Sequence, residues 1–150
     1  MKMMEKSCGT VLFTVVEDEP RYVLVRDKRG HFGFPKGHRE QGESERVTAL
    51  RETWEETSIR TPKILPDFRE ETVYSLPRGN KKSVVYFLAE YKGQTPKHNE
   101  DFEPLTPVIF TYKGALRALR YENMRAILRH ANEVVLKYIS DKKENESLHN

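Results

Sequence analysis

The stretch GHREQGESERVTALRETWEETSI, residues 37–59, carries six glutamates against three arginines, and its last third, RETWEETS (Arg51–Ser58), crowds Glu52, Glu55 and Glu56 within five positions. From Ser44 to about Thr57 the pattern is helical, and at about 100° per residue the three carboxylates fall on one face while Val47, Leu50 and Trp54 fall on the other. That division predicts an apolar face, with Trp54, anchored in the core. Like charges one turn apart destabilise a helix by about 0.2–0.5 kcal/mol per pair, so the crowding predicts a cation among them. An all-oxygen donor set suits Mg²⁺, with Mn²⁺ as the alternative; there is no Cys or His pair at zinc-ligand spacing. Arg51 is placed to fork onto a neighbouring carboxylate, and Glu43 reaches the cluster from the loop side. Gly37 stands where a loop needs either a left-handed residue or a close approach of backbone to ligand.

Outward from this segment, GTVLFTVV and RYVLVRD read as two strands of a hairpin around the polar turn EDEP, ending near Lys28. RGHFGFPKGHREQGE reads as loop. REETVYSL and SVVYFLAEY form a second hairpin around PRGNKK, whose Gly-Asn pair is expected to supply the positive-φ positions of the turn. A long polar loop, KGQTPKHNEDFEPLT, leads to a short strand, PVIF, and loops of that length are more often functional than incidental. Thr111 is a plausible N-cap, followed by YKGALRAL and by a helix whose Met124, Ile127, Leu128, Ala131, Val134, Val135 and Tyr138 make a core stripe. No internal repeat divides the chain. Residues 1–140 are expected to form one domain and residues 141–150, DKKENESLHN, a disordered polar tail.

The composition fits a folded domain: of the 150 residues, 37% are hydrophobic and 33% charged, with 7 Tyr and 7 Phe, which argues against disorder. The net charge of +3 is uneven, because residues 37–59 carry −3 and leave +6 for the rest. An acidic focus in a basic protein suits cations bridging carboxylates to a polyanion. The single cysteine, Cys8, excludes an internal disulfide and is expected to be a small core thiol in a reducing compartment. No segment approaches the ~20 apolar residues of a membrane span, and the N-terminus lacks the apolar region of a secretion signal; a soluble, cytoplasmic protein is expected.

Taken together, Gly37, Glu43, then Arg51-Glu52-Thr53-Trp54-Glu55-Glu56-Thr57-Ser58-Ile59 resemble the Nudix box, G-x5-E-x7-R-E-U-x-E-E-x-G-U, with U aliphatic. Two positions depart: Thr53 replaces an aliphatic residue, and Ser58 replaces the glycine that ends the helix. Serine in a left-handed cap costs about 1 kcal/mol or shifts the turn. FPKGHREQGE and ETVYSLPRGNKKSVVYFLAEYKG are also similar to the Nudix hydrolases that cleave diadenosine tetraphosphate asymmetrically.

The resemblance implies an α/β (α+β) sandwich, the Nudix fold, with a mixed β-sheet packed between helices. It implies a Mg²⁺-dependent hydrolase of a phosphoanhydride bond in a dinucleoside polyphosphate, giving ATP and AMP from diadenosine tetraphosphate. The metal ligands would be Glu52, Glu55, Glu56 and Glu103, with Glu100 as the alternative to Glu103, and the Gly37 carbonyl; the base would be Glu52, Glu55 or Glu103, and Arg51 would orient the carboxylates. Lys36, His38, Lys81 and Lys82 would meet phosphates, and Tyr74 and Tyr86 would stack a base. Strand alternation puts Tyr86 and Phe87 on opposite faces and leaves open which one faces inward. The same box would serve diphosphoinositol polyphosphates, damaged nucleoside triphosphates or 5′-triphosphate RNA, or a non-catalytic nucleotide sensor. The expected partner is a small nucleotide, with no membrane and no stable nucleic-acid partner, and the expected assembly is a monomer or homodimer.

Overall fold

A computed structural model describes residues 4–149. Seven strands, β1 (Met4–Val16), β2 (Glu19–Arg26), β3 (Phe32–Gly33), β4 (Lys36–His38), β5 (Lys63–Ser75), β6 (Lys81–Glu90) and β7 (Thr106–Thr111), form one mixed sheet. Three helices, α1 (Glu45–Thr57), α2 (Tyr112–Ala118) and α3 (Glu122–His149), cover it. The strand β1 organises the sheet: it runs parallel to β6 along one edge, and along the other it pairs antiparallel with β2 through its second half and with β4 through its first. The β1–β2 connection is a two-residue turn, Glu17 and Asp18, both at positive φ, the geometry that matches the twist of a hairpin. At the second hairpin the positive-φ residues are Arg78 and Gly79, with Asn80 at φ −70, so the turn sits one residue earlier than the Gly-Asn pair suggests.

Both faces of the central strands are covered, which makes β1, β2 and β6 read as near-continuous apolar runs. One layer packs Val11, Phe13, Tyr22, Leu24, Val84, Tyr86 and Leu88 against Leu119, Ile127, Leu128, Ala131 and Val135 from the α2–α3 side. The other sets Cys8, Val85 and Phe87 against Ala49 of α1. Cys8 is fully buried, as expected of a small core thiol. Tyr86 and Phe87 are both buried, one in each layer, because neither face of β6 meets solvent.

The helix α1 turns the other way from the sequence expectation. Its buried residues are Thr48, Ala49, Thr53 and Thr57, whereas Val47 is 51% exposed and Trp54 is only partly buried. Small side chains let the helix lie close to β1, and its buried hydroxyls are satisfied: Thr53 shares a 2.7 Å hydrogen bond with Thr10, and the Thr57 hydroxyl donates to the Thr53 carbonyl at 2.6 Å. Thr53, the departure from an aliphatic residue, is thus matched by Thr10 across the interface. The glutamate face is consequently drawn toward the sheet and β4.

Residues 141–149 continue α3 instead of forming a disordered tail; Asn150, the tail's last residue, lies outside the described residues. The segment contains good helix formers and neither Gly nor Pro, and Lys137–Asp141 and Lys143–Asp18 ion pairs at 2.9 Å tie it down. No helix among the described residues is long and apolar enough to cross a membrane.

Gly9 is where β1 receives β4. A Cβ there would lie 2.1 Å from the Pro35 carbonyl oxygen and 2.7 Å from Lys36 Cβ. Backbone cannot step aside, so Gly9→Ala is expected to destabilise the fold by about 3 kcal/mol, the upper end of overpacking costs. Thermal unfolding checks it: a melting temperature lowered by about 6–12 °C is expected.

Candidate active site

The Ser44 hydroxyl caps α1 by accepting from the Val47 N–H at 3.1 Å, so the glutamate helix begins immediately after the loop that carries Gly37 and Glu43. Pairing of β4 with Ser7–Gly9 of β1 then lays Gly37 against the helix. A Cβ on Gly37 would sit 2.1 Å from Glu52 Cδ, so the absence of a side chain is what lets the Glu52 carboxylate rest on the β4 backbone. The backbone N–H of the neighbouring Lys36 donates to Glu56 Oε1 at 3.2 Å.

Arg51 holds the cluster together. Its Nε and Nη2 donate to the two oxygens of Glu43 at 2.8 and 3.0 Å, its Nη1 donates to Glu52 Oε1 at 2.9 Å and Glu55 Oε2 at 2.6 Å, and Nη2 also reaches the His38 carbonyl at 2.9 Å. The Arg51 bond, together with the Glu40 N–H and the Thr48 hydroxyl, holds the Glu43 carboxyl down at about 2. Glu43 is therefore a fixed anion whose task is to orient Arg51.

The other carboxylates are strained electrostatically. Burial pushes Glu56 up to about 8, and the charges of Glu52 and Glu103 add to the shift. Burial, then the neighbouring Glu55, also raises Glu52. Lys36 is lowered, first by burial and then by Lys82 beside it. A buried carboxyl among like charges is the arrangement that a bound cation relieves. Among the described residues no three carboxyl or imidazole groups close on a single point; Glu52 and Glu55 turn to Arg51 instead. The donor set, four carboxylates and the space beside Gly37, is all oxygen and fits a hard divalent ion.

These groups border an open cleft of about 710 Å³. Lys36, Gly37, His38, Glu52, Glu55, Glu56, Lys82 and Glu103 all border it, so the loop before β7 does bring Glu103 to the acidic cluster. Three expected positions fall elsewhere. Lys81 is exposed and outside the cleft, because it alternates with Lys82 along β6. Tyr86 is fully buried with its ring 5.1 Å from that of Phe34, and among the described residues its hydroxyl has no partner. Tyr74 packs against the core and accepts from Asn123 Nδ2 at 3.1 Å. Neither tyrosine offers a ring face to the cleft.

The cleft is also lined by Arg29, His31, Phe32, Phe102 and Tyr121, which the sequence reading did not single out, and by Met124, which it placed in the core stripe. Tyr121 is 56% exposed, with the Arg120 guanidinium 5.9 Å from its ring centre, and Arg120 Nη1 donates to His31 Nε2 at 2.6 Å. A lone exposed aromatic between two helices carries no periodic signal; only the fold brings it to the glutamates.

The profile described as NUDIX domain matches residues 8–131. The asymmetrical bis(5′-nucleosyl)-tetraphosphatase of Rattus norvegicus is 30% identical over 141 residues, covering 87% of this chain and 95% of that protein. Among solved structures, a binary complex of the Caenorhabditis elegans Ap4A hydrolase superposes with a TM-score of 0.74 at 28% identity, over 83% of this chain and 93% of that one. A second structure of that hydrolase matches with a TM-score of 0.69 at 30% identity, over 85% and 95% of the two chains.

Proposed function

The chain belongs to the NUDIX family and is a Nudix pyrophosphohydrolase, and on that premise we propose that it hydrolyses a dinucleoside polyphosphate asymmetrically, with Mg²⁺ as cofactor and diadenosine tetraphosphate as the representative substrate. The observation that carries this reading is the make-up of the cleft: carboxylates, Lys36 and Lys82 share it with Tyr121, Phe32 and Arg29, and Arg120 lies beside Tyr121. A polyphosphate chain lies against the carboxylates and lysines while a base rests on Tyr121, a contact worth about 1–3 kcal/mol. The relatives named for bis(5′-nucleosyl)-tetraphosphate cleavage support the same substrate class.

Glu52, Glu55, Glu56 and Glu103, with the Gly37 carbonyl, would hold the divalent ions. Bound there, the ions supply charge neutralisation of the phosphate oxygens and lower the pKa of a bound water. Arg51, gripped by Glu43, keeps Glu52 and Glu55 oriented. Lys36 and Lys82 meet the negative charge of the chain. Among the described residues the Glu103 carboxylate has no protein partner, and we assign it to take the proton from the attacking water. The new P–O bond forms as the bond from that phosphorus to the bridging oxygen breaks, and diadenosine tetraphosphate plus water gives ATP and AMP.

Purified protein with Mg²⁺ and a panel of diadenosine tetraphosphate, a diphosphoinositol polyphosphate, an oxidised nucleoside triphosphate and 5′-triphosphate RNA tests the substrate. The expected result is the highest kcat/KM on diadenosine tetraphosphate. A higher value on any other member, or no turnover of diadenosine tetraphosphate, removes the dinucleotide assignment.

A further inference from the structure

The departure at Ser58 has a second consequence. Ser58 ends α1 in the left-handed region (φ 64, ψ 9), a conformation in which L residues other than glycine are strained, and its N–H donates to the Trp54 carbonyl at 2.8 Å. Its hydroxyl does what glycine cannot: it donates to the Lys97 carbonyl at 3.0 Å, in the loop between β6 and β7.

The same loop makes further attachments to this helix end. The Lys97 N–H donates to the Thr57 carbonyl at 2.9 Å, Asn99 Nδ2 donates to the Trp54 carbonyl at 3.4 Å, and the Phe102 ring meets Trp54 edge-on at 5.5 Å. The Lys97 bond takes up a carbonyl that the last turn of the helix leaves free, and the Asn99 bond is a second one on the Trp54 carbonyl. Past Lys97 the loop is braced internally: Phe102 N–H donates to the Asn99 carbonyl at 3.1 Å, Leu105 N–H donates to the Glu103 carbonyl at 2.8 Å, and His98 Nδ1 meets the Leu105 carbonyl at 3.2 Å. Because residues 98–105 are bonded to one another, fixing Lys97 fixes Phe102 and Glu103, which border the cleft. Trp54 thereby has a role outside the core as the loop's footing on α1.

We infer that Ser58 is a positioning residue: its hydroxyl straps the loop to the end of α1 and so holds Glu103 over the acidic cluster. The inference rests on the placement of Glu103 at the reacting centre proposed above.

Ser58→Gly removes the hydroxyl and keeps a residue at ease in the left-handed cap, so the melting temperature is expected to hold within about 2 °C. Amide exchange at Lys97 and through residues 99–105, measured without metal or substrate, is expected to quicken about three- to tenfold, as befits one lost hydrogen bond. On the substrate, kcat is expected to fall by a similar factor of about three to ten at unchanged KM. Ser58→Asn, which tolerates the left-handed region and carries an amide donor, restores both. In a Glu103→Gln background, Ser58→Gly is expected to cost nothing further. Unchanged exchange in Ser58→Gly overturns the strap, and an equal loss of kcat in both backgrounds overturns its action through Glu103. Full activity of Glu103→Gln alone removes Glu103 from the proposed chemistry, and the exchange measurement then decides the strap by itself.

Discussion

Glu56→Gln is expected to lower kcat/KM by about 10³-fold while making the metal-free protein more stable above pH 8, because, on the proposed metal site, the several kcal/mol a bound metal contributes to the transition state would disappear with the ligand proposed at Glu56. The stability gain follows from burial. In the folded, metal-free protein the Glu56 carboxyl keeps its proton up to about 8, whereas its ordinary value is 4.5. The folded state therefore binds a proton that the unfolded chain has released. Stability from this group is full below about pH 4.5 and is lost as pH rises through about 8, a decline on the order of a few kcal/mol. Glutamine resembles the protonated form, still accepts from the Lys36 N–H and has no charge to bury. The variant loses the Glu56 contribution and keeps that of Glu52, whose carboxyl is raised in the same direction by burial and Glu55. Thermal melts of metal-free wild type and variant from pH 5 to 9 read the difference. Parallel curves would show that Glu56 is not held in a charge-averse position.

Gly37→Ala carries the second large effect and separates activity from stability. The new Cβ would lie 2.1 to 2.3 Å from the Glu52 carboxyl atoms, but those atoms end a side chain that can swing away. The fold is expected to survive with a loss of about 1 kcal/mol, whereas Gly9→Ala meets backbone and is expected to cost more. Activity is another matter. A Glu52 displaced by an ångström or more would lose its Arg51 bond and its proposed place at the ions, and misplacement on that scale costs about 10²-fold in rate. A folded Gly37→Ala protein at wild-type kcat would mean that the contact between β4 and Glu52 has no catalytic part.

What the sequence showed of all this was the spacing and little of the depth. Gly37, Glu43 and the four residues Arg51, Glu52, Glu55 and Glu56 meet as their register requires, since helix geometry and one short loop suffice to join them. The orientation of α1 was not legible. Periodicity divides a helix into two faces but does not say which one is buried when the buried one consists of Ala49 and threonines; Thr10, on another strand, decides it. Tyr86 failed as a stacking residue for a related reason: alternation separates two faces, and both faces of β6 are covered. The helix end at residues 141–149 was misread from its polarity, although its side chains favour helix and its anchor, Asp18, lies far away in sequence. Tyr121, His31 and Arg29 had no local signal at all, because the cleft that gathers them is made by β3, the loop before β7 and the start of α3. Ser58 was visible as a departure; its partner Lys97 was not.

The most direct test of the glutamate cluster as a cation site is the shift in melting temperature produced by millimolar Mg²⁺ at pH 8.5, measured side by side for wild type and Glu56→Gln without substrate. Mg²⁺ at about 100 times its dissociation constant contributes about 2.7 kcal/mol, so a rise of about 5 °C or more is expected for wild type, and little or none for the variant. Equal shifts in the two proteins would place the cation elsewhere and contradict the site.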